Sequence, residues 1–270
     1  MSGRSSRRVG ALALGCAVLT MVLCAAGAAV AGGGPDQRPV PTRPGRPARD
    51  PDFWFGPPRG SIRVHTNRLF ARQGSDLYDF LRDEFTIDRR AFDATGIGAE
   101  AGIAMGPRVD ALVGVDFNRA SNRSESRGFI DRAGIPITQD TRLSEVNLTG
   151  GLKLALTPKG RQIGRLAWIP RPITPYVGAG AGALWYRFEQ QGDFVDFVDL
   201  SIFNSRFRSS GWTPSVHAFG GADVNVWKRL FLGLEARYVW ADAELGRDFA
   251  GFEPIDLSGL KLSVGLNVAF

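Results

Sequence analysis

Two histidines are all the imidazole that this 270-residue chain contains, and one of them, His217, follows Ser215 by two positions. In an extended segment that spacing puts both side chains on one face. Ser215 and His217 are therefore the pair that a nucleophilic hydroxyl with an adjacent general base would use. No third residue to orient the imidazole and no oxyanion donor stand beside them, and His65 with His217 makes too small a set for a metal. The more common role for such histidines is hydrogen bonding inside a polar network. A larger group of chemically capable side chains is charged. Arg63, Lys153, Arg237 and Lys261 alternate with apolar neighbours, as do Glu100, Asp110, Asp116, Glu145, Asp223 and Glu235. Brought together on one enclosed face, such charges pair and fill space; with a water path left between them, they would conduct an ion or a small solute. The residues call for no cofactor.

What must position these side chains is a set of strands. Past residue 60 the dominant period is two, and eight runs carry it, at about 60–69, 95–106, 109–121, 138–156, 174–190, 212–227, 230–244 and 256–270. In the last run Leu260, Leu262, Val264, Leu266, Val268 and Phe270 share a face, opposite Lys261, Ser263, Gly265, Asn267 and Ala269. Val146, Leu148, Leu152, Leu154 and Leu156 stand in the same way against Glu145, Asn147, Thr149, Gly151 and Lys153. The Gly/Ala alternation at 178–183 is harder to phase, and a bulge is expected near Leu184.

Alternation alone does not say which face points inward. The polar face here is rich in glycine and in charges of both signs, a set that suits a narrow enclosed interior. Tyr238, Trp240, Trp227 and Phe270 mark strand ends on the apolar face, as interfacial aromatic girdles do. The connections alternate too. Residues 106–108 and 228–229 are tight turns, whereas the other links are about 25, 16, 20 and 11 residues long. The expected fold is all-β: an eight-stranded antiparallel transmembrane β-barrel with short periplasmic turns and longer extracellular loops. A barrel of eight strands fills its interior with side chains, so a general porin is not expected. Residues 157–173 are an exception on the short-turn side, with no assigned role.

The N-terminal part reads differently. Arg4, Arg7 and Arg8 precede an uncharged apolar stretch that ends in Ala29-Val30-Ala31, the pattern of a cleaved signal peptide over residues 1–31. The alternative is an uncleaved anchor, since the stretch is long enough to span a bilayer. Cys16 and Cys24 both fall inside it, so the exported part has no disulfide or thiolate chemistry. Residues 32–59 are a Pro/Gly/Arg-rich periplasmic linker, and 60–270 the barrel. After residue 50 there are 26 basic and 25 acidic residues, so five of the six net positive charges belong to residues 1–50. A basic face for nucleic acid is not indicated, and no nucleic-acid partner is expected.

The ending Ser263-Val264-Gly265-Leu266-Asn267-Val268-Ala269-Phe270 resembles the C-terminal signal of bacterial outer-membrane barrels, through Ser263, Gly265, Val268 and the aromatic Phe270. With the leader and strand pattern, residues 60–270 look like the OmpA-like and opacity-protein-like group of small barrels. The resemblance implies export through the secretory pathway, recognition by the barrel-assembly machinery during biogenesis, and residence in the outer membrane against its lipid. The chain departs from the full OmpA-like plan in having no C-terminal peptidoglycan-binding domain, so cell-wall anchoring does not carry over. The leading functional expectation is a non-enzymatic barrel, structural or interactive through an extracellular ligand at its loops. The alternatives are an outer-membrane lipid-modifying enzyme using Ser215 and His217, and a narrow conduit for ions or small hydrophobic solutes. In the first loop Leu77, Leu81 and Phe85, beside Tyr78 and Phe80, lie at helical spacing behind Ser75 as N-cap, giving a short helix packed on its loop or over the barrel mouth. Residues 188–208 carry Phe194, Phe197, Ile202, Phe203 and Phe207, expected as a loop whose aromatics pack together or form a patch for partners.

Overall fold

The computed structural model describes residues 56–130, 134–163, 167–196 and 201–270. The proposed leader, most of the proposed linker and Phe197 lie outside the described residues. Eight strands form one closed barrel: β1 (Gly60–Ala71), β2 (Ala94–Ala104), β3 (Val109–Ile130), β4 (Pro136–Ala155), β5 (Ile173–Val195), β6 (Ile202–Trp227), β7 (Leu230–Trp240) and β8 (Gly259–Ala269). Every neighbouring pair is antiparallel, and β1 joins β8 from Ser61↔Ala269 to Ala71↔Gly259, so the ring has no free edge. One helix, α1 (Asp76–Glu84), lies between β1 and β2.

Side-chain parity gives the barrel an inverted polarity. Ile103, Val113 and Leu266 point outward and are 68 %, 63 % and 53 % exposed, whereas Arg63, Glu235 and Arg237 point inward and are buried. A barrel solvated by water would place these sets the other way round; lipid as the surrounding solvent explains both. Glycines on the inward face make room for the larger groups beside them. A Cβ on Gly98 would lie 2.5 Å from both His65 and Asp116, and one on Gly178 would lie 2.2 Å from the Phe219 ring.

Three boundaries differ from the sequence reading. β3 and β6 run well past 121 and back before 212, so the third and fifth links shrink to 131–135 and 196–201. Most of 188–208 is therefore hairpin, paired from Glu189↔Arg208 to Val195↔Ile202. The apolar/polar alternation fades there because the outward face turns polar beyond the apolar belt while the inward face mixes polar residues with Phe194, Phe203 and Phe207, which pack on one another; backbone pairing needs no such contrast. The bulge expected near Leu184 is absent: its register runs unbroken against Asn147 and Thr213. Leu184 breaks the polar pattern for another reason, described below. Finally, β7 stops at Trp240, and Asp242–Ala243 pairs with Ile255–Asp256 in a separate small sheet.

Candidate functional site

The lumen has three layers: a charged middle and a cover at each end. In the middle layer Arg63 and Arg237, on β1 and β7, converge on Glu235. The Arg63 guanidinium donates to Glu235 Oε2 at 2.9 Å and to the Tyr176 hydroxyl at 3.2 Å, and Tyr176 in turn donates to Glu235 Oε2 at 3.0 Å. Arg237 reaches Glu235 at 2.9 Å and Glu100 Oε2 at 2.9 Å. Register explains the meeting, because Arg63 lies opposite Glu100 on β2 and Arg237 lies opposite Lys261 on β8. Nearer the chain termini, Lys153 Nζ is 2.6 Å from Asp223 and 4.0 Å above the Tyr176 ring. Asp110 pairs with Lys159 at 2.5 Å. Toward the loops, Asp116 accepts from His65 Nε2 at 2.8 Å and from Asn67 at 3.2 Å. Glu145 and Lys261 complete the set; the Lys261 ammonium has no hydrogen-bond partner among the described residues, but its charge acts on both Asp116 and Glu145.

All ten charged residues singled out above thus point into the lumen; seven of them form direct ion pairs, and Asp116 accepts a hydrogen bond from His65. His65 takes the polar-network role expected of it, while Tyr176, Asn67 and Lys159 belong to the same network and were not grouped with it by sequence. The parity of β5 and β1 carries the signal for the first two, whereas Lys159 arrives from outside the barrel strands.

The Ser215 and His217 pair does not assemble. Both are buried on the inward face of β6, but Ser215 donates to Asn147 Oδ1 at 3.1 Å. His217 stacks on Phe219 at 5.9 Å, its Nδ1 has no hydrogen-bond partner among the described residues, and no hydrogen bond joins Ser215 to His217. Residues two apart on a strand are about 6.6 Å apart along it, so the spacing that shares a face also separates the groups. Among the described residues no cluster of three metal-ligating side chains occurs.

The cover at the loop end is apolar. α1 has Ser75 as its N-cap, although the Ser75 hydroxyl makes no cap bond and instead accepts from the Asp256 amide at 3.4 Å. Asp76 and Asp79 in the first turn suit the positive end of the helix. Leu77, Tyr78 and Leu81 are completely or nearly buried and pack with Leu143, Leu184, Tyr186, Phe188, Phe249 and Ile255. This is why the inward face of β5 turns apolar at Leu184: there it meets the cover instead of the charged layer. Tyr78 packs edge-on against Phe92 with centroids 4.9 Å apart and donates to the Asp256 carbonyl at 3.2 Å. Burial, reinforced by the carboxylates of Glu145 and Asp256, holds the Tyr78 phenol protonated well above the usual tyrosine range. The exit of the helix is tied to β3, where Thr86 N donates to Glu125 O and Glu125 N to Thr86 Oγ1, each at 2.9 Å.

The cover at the terminal end is smaller, and it gives residues 157–173 a place. Gly160–Ile163 and Ala167–Pro170 pair as a short hairpin from which Trp168 packs on Phe231 and Ala269. Beneath it lies a cleft of about 60 Å³, lined in part by Lys153, Lys159 and Asp223.

Of the proposed assembly signal, Ser263 and Gly265 face inward and Val268 and Phe270 outward. Ser263 accepts from Arg63 Nη2 at 3.2 Å, and a Cβ on Gly265 would lie 2.5 Å from His65. Phe270 O accepts from Arg59 N at 2.7 Å and Gly60 N at 2.9 Å, next to the β1/β8 closure.

No protein-family model and no curated protein matches the chain. Solved structures overlay on it at low identity. Neisserial surface protein A matches at 12 % identity and a TM-score of 0.39, covering 78 % of this chain and 97 % of its own. Ail, the attachment invasion locus protein of Yersinia pestis, matches at 13 % and 0.40, covering 79 % and 99 %. A major outer membrane protein from Thermus thermophilus matches at 12 % and 0.40, covering 78 % and 99 %. The fold assignment rests on the chain's own closed strand register.

Proposed function

We propose that this chain is a bacterial outer-membrane barrel with a structural or loop-mediated interaction role and no catalytic activity. One observation carries the reading: an apolar exterior around an ion-paired interior is stable only where lipid surrounds the ring. Residues 1–31 then act as a cleaved secretory leader, and Ser263, Gly265, Val268 and Phe270 are read by the barrel-assembly machinery. The short 106–108 and 228–229 turns face the periplasm. α1 and the extended β3–β4 and β5–β6 hairpins face the exterior, where a ligand would meet them. The covers at both mouths and the occupied middle weigh against a conduit. The separate hydrogen bonding of Ser215 and stacking of His217 weigh against lipid modification.

Fractionation tests the location. The protein should sediment with outer membranes and show heat-modifiable migration on gels; a soluble periplasmic species would overturn the reading. Ser215→Ala with His217→Ala should leave the membrane lipid profile unchanged by mass spectrometry, and an altered profile would restore the enzyme reading.

A further inference from the structure

The outward face of β3–β6 changes character in a single register step. Phe117, Val146, Trp185 and Trp212 lie side by side across the four strands. The next outward row toward the loops is Arg119, Ser144, Arg187 and Ser210; the one after is Ser121, Arg142, Glu189 and Arg208; the third is Arg123, Asp140, Gln191 and Arg206. Six of these twelve positions are arginine, two are acidic and none is lysine. In-strand pairing absorbs little of the charge: the Arg208–Glu189 contact is 4.0 Å long, and Arg123 donates only to Thr138 Oγ1, at 3.4 Å. Arg187 lies with its guanidinium 5.0 Å from the centre of the Trp185 ring, and its Nε has no hydrogen-bond partner among the described residues. On the opposite side, β1, β2, β7 and β8 end within a few residues of this level, and Arg68 is their one arginine in the first of these rows, beside Thr95.

We propose that this arginine field binds the phosphate groups of membrane lipid headgroups in the leaflet at the loop end. The proposal rests on the membrane reading above and adds to it a site and a ligand class. Hydrocarbon cannot hold these cations, and the aromatic row immediately below marks the depth at which acyl chains give way to headgroups. Phosphate is the anion found at that depth, and a guanidinium offers the planar fork that grips phosphate oxygens in pairs. Continuity with the apolar belt selects a lipid over free phosphate: one molecule can lay its chains on Val146 and Trp212 while its headgroup meets Arg142 and Arg208.

The test uses the full chain folded into phosphatidylcholine vesicles, with brominated phosphatidylcholine or brominated phosphatidic acid as tryptophan quencher at equal mole fraction. In a background with Trp227 and Trp240 replaced by Phe, which serves as wild type here, Trp185 and Trp212 are the lipid-facing tryptophans among the described residues and report on lipid at the field. Wild type should prefer the phosphomonoester lipid. Arg142→Gln should lower the preference about five-fold, the equivalent of ~1 kcal/mol per basic residue at an anionic surface. Combined replacement of Arg119, Arg142, Arg187 and Arg208 by Gln should abolish it, while lysine at the same four positions should restore part of it. Arg68→Gln, on the short side, should change little. A wild-type chain that inserts without preference, or a four-site Gln variant that inserts and keeps the preference, overturns the site and leaves the membrane reading standing. A wild-type chain that inserts into neither vesicle overturns both.

Discussion

The two ends of this barrel are closed by different physics. At the loop end the cover is a hydrophobic core in its own right, with α1 and the 241–257 segment packed over the inward faces of β4 and β5. At the terminal end a single indole, Trp168, rests on Phe231 and Ala269 above a layer of ion pairs. The first cover is held by burial of many side chains from distant parts of the chain. The second depends on one side chain and one lysine, Lys159. A cover with many apolar contacts opens as a cooperative unit, whereas one anchored at a single point can move without disturbing its surroundings. Between them the charged layer is shared by both ends.

The largest expected effect comes from the shared layer. Glu235→Ala leaves the Arg63 and Arg237 guanidiniums facing each other without their common carboxylate, and should cost about 3 to 5 kcal/mol in urea unfolding from vesicles. Both ends should loosen together in hydrogen exchange; loosening confined to one end would mean that the layers are independent. Next is Leu81→Ala, which empties a completely buried site in the loop-end cover and should cost about 3 kcal/mol. Its exchange signature should stay with 76–92 and 241–257 and leave the strand interiors protected. Trp168→Ala should cost less, about 2 kcal/mol, because the indole packs on one small cluster. Planar bilayers holding that variant should show no discrete conductance, since the ion pairs still fill the lumen; discrete steps would show that Trp168 alone is the seal.

The smallest effect is a pH dependence at the loop end. The Tyr78 phenol has its folded pKa raised, so its contribution is complete below the ordinary tyrosine range and is lost as pH climbs through and beyond about 10. Protection factors in α1, with the intrinsic base-catalysed rise in exchange divided out, should fall above that pH while those of 160–163 and 167–170 stay constant. Tyr78→Phe should remove the dependence, with a loss of about 1 kcal/mol for the bond to Asp256 O.

Strand parity was legible in the sequence because lipid outside and charge inside leave a period-two record at every spanning position. Val264, Leu266 and Val268 against Ser263, Gly265 and Asn267 suffice to orient β8. That record stops where the membrane stops. Beyond Arg119 on β3 and before Trp212 on β6 the outward face turns polar, and on β6 the inward Phe203 and Phe207 stand among serines, so strands that continue by backbone pairing read as loops. Leu184, Tyr186 and Phe188 seemed out of phase because they face a cover built from residues 77–92 and 241–257, which lie far from them in the chain. Ser215 and His217 show the converse failure: parity put them on one face, but their neighbours on other strands, Asn147 for Ser215 and Gly180 for His217, fixed where each side chain points.

The sequence by itself determined that the folded part is a strand-built ring with an apolar outside and a charged inside, since side-chain alternation is local and follows from the geometry of an extended chain. Only the tertiary structure decided which charges meet, that α1 and Trp168 close the two mouths, and that six arginines share one outward field. Those outcomes depend on register between strands, and register is set by contacts among residues distant in the chain, for which local alternation carries no information.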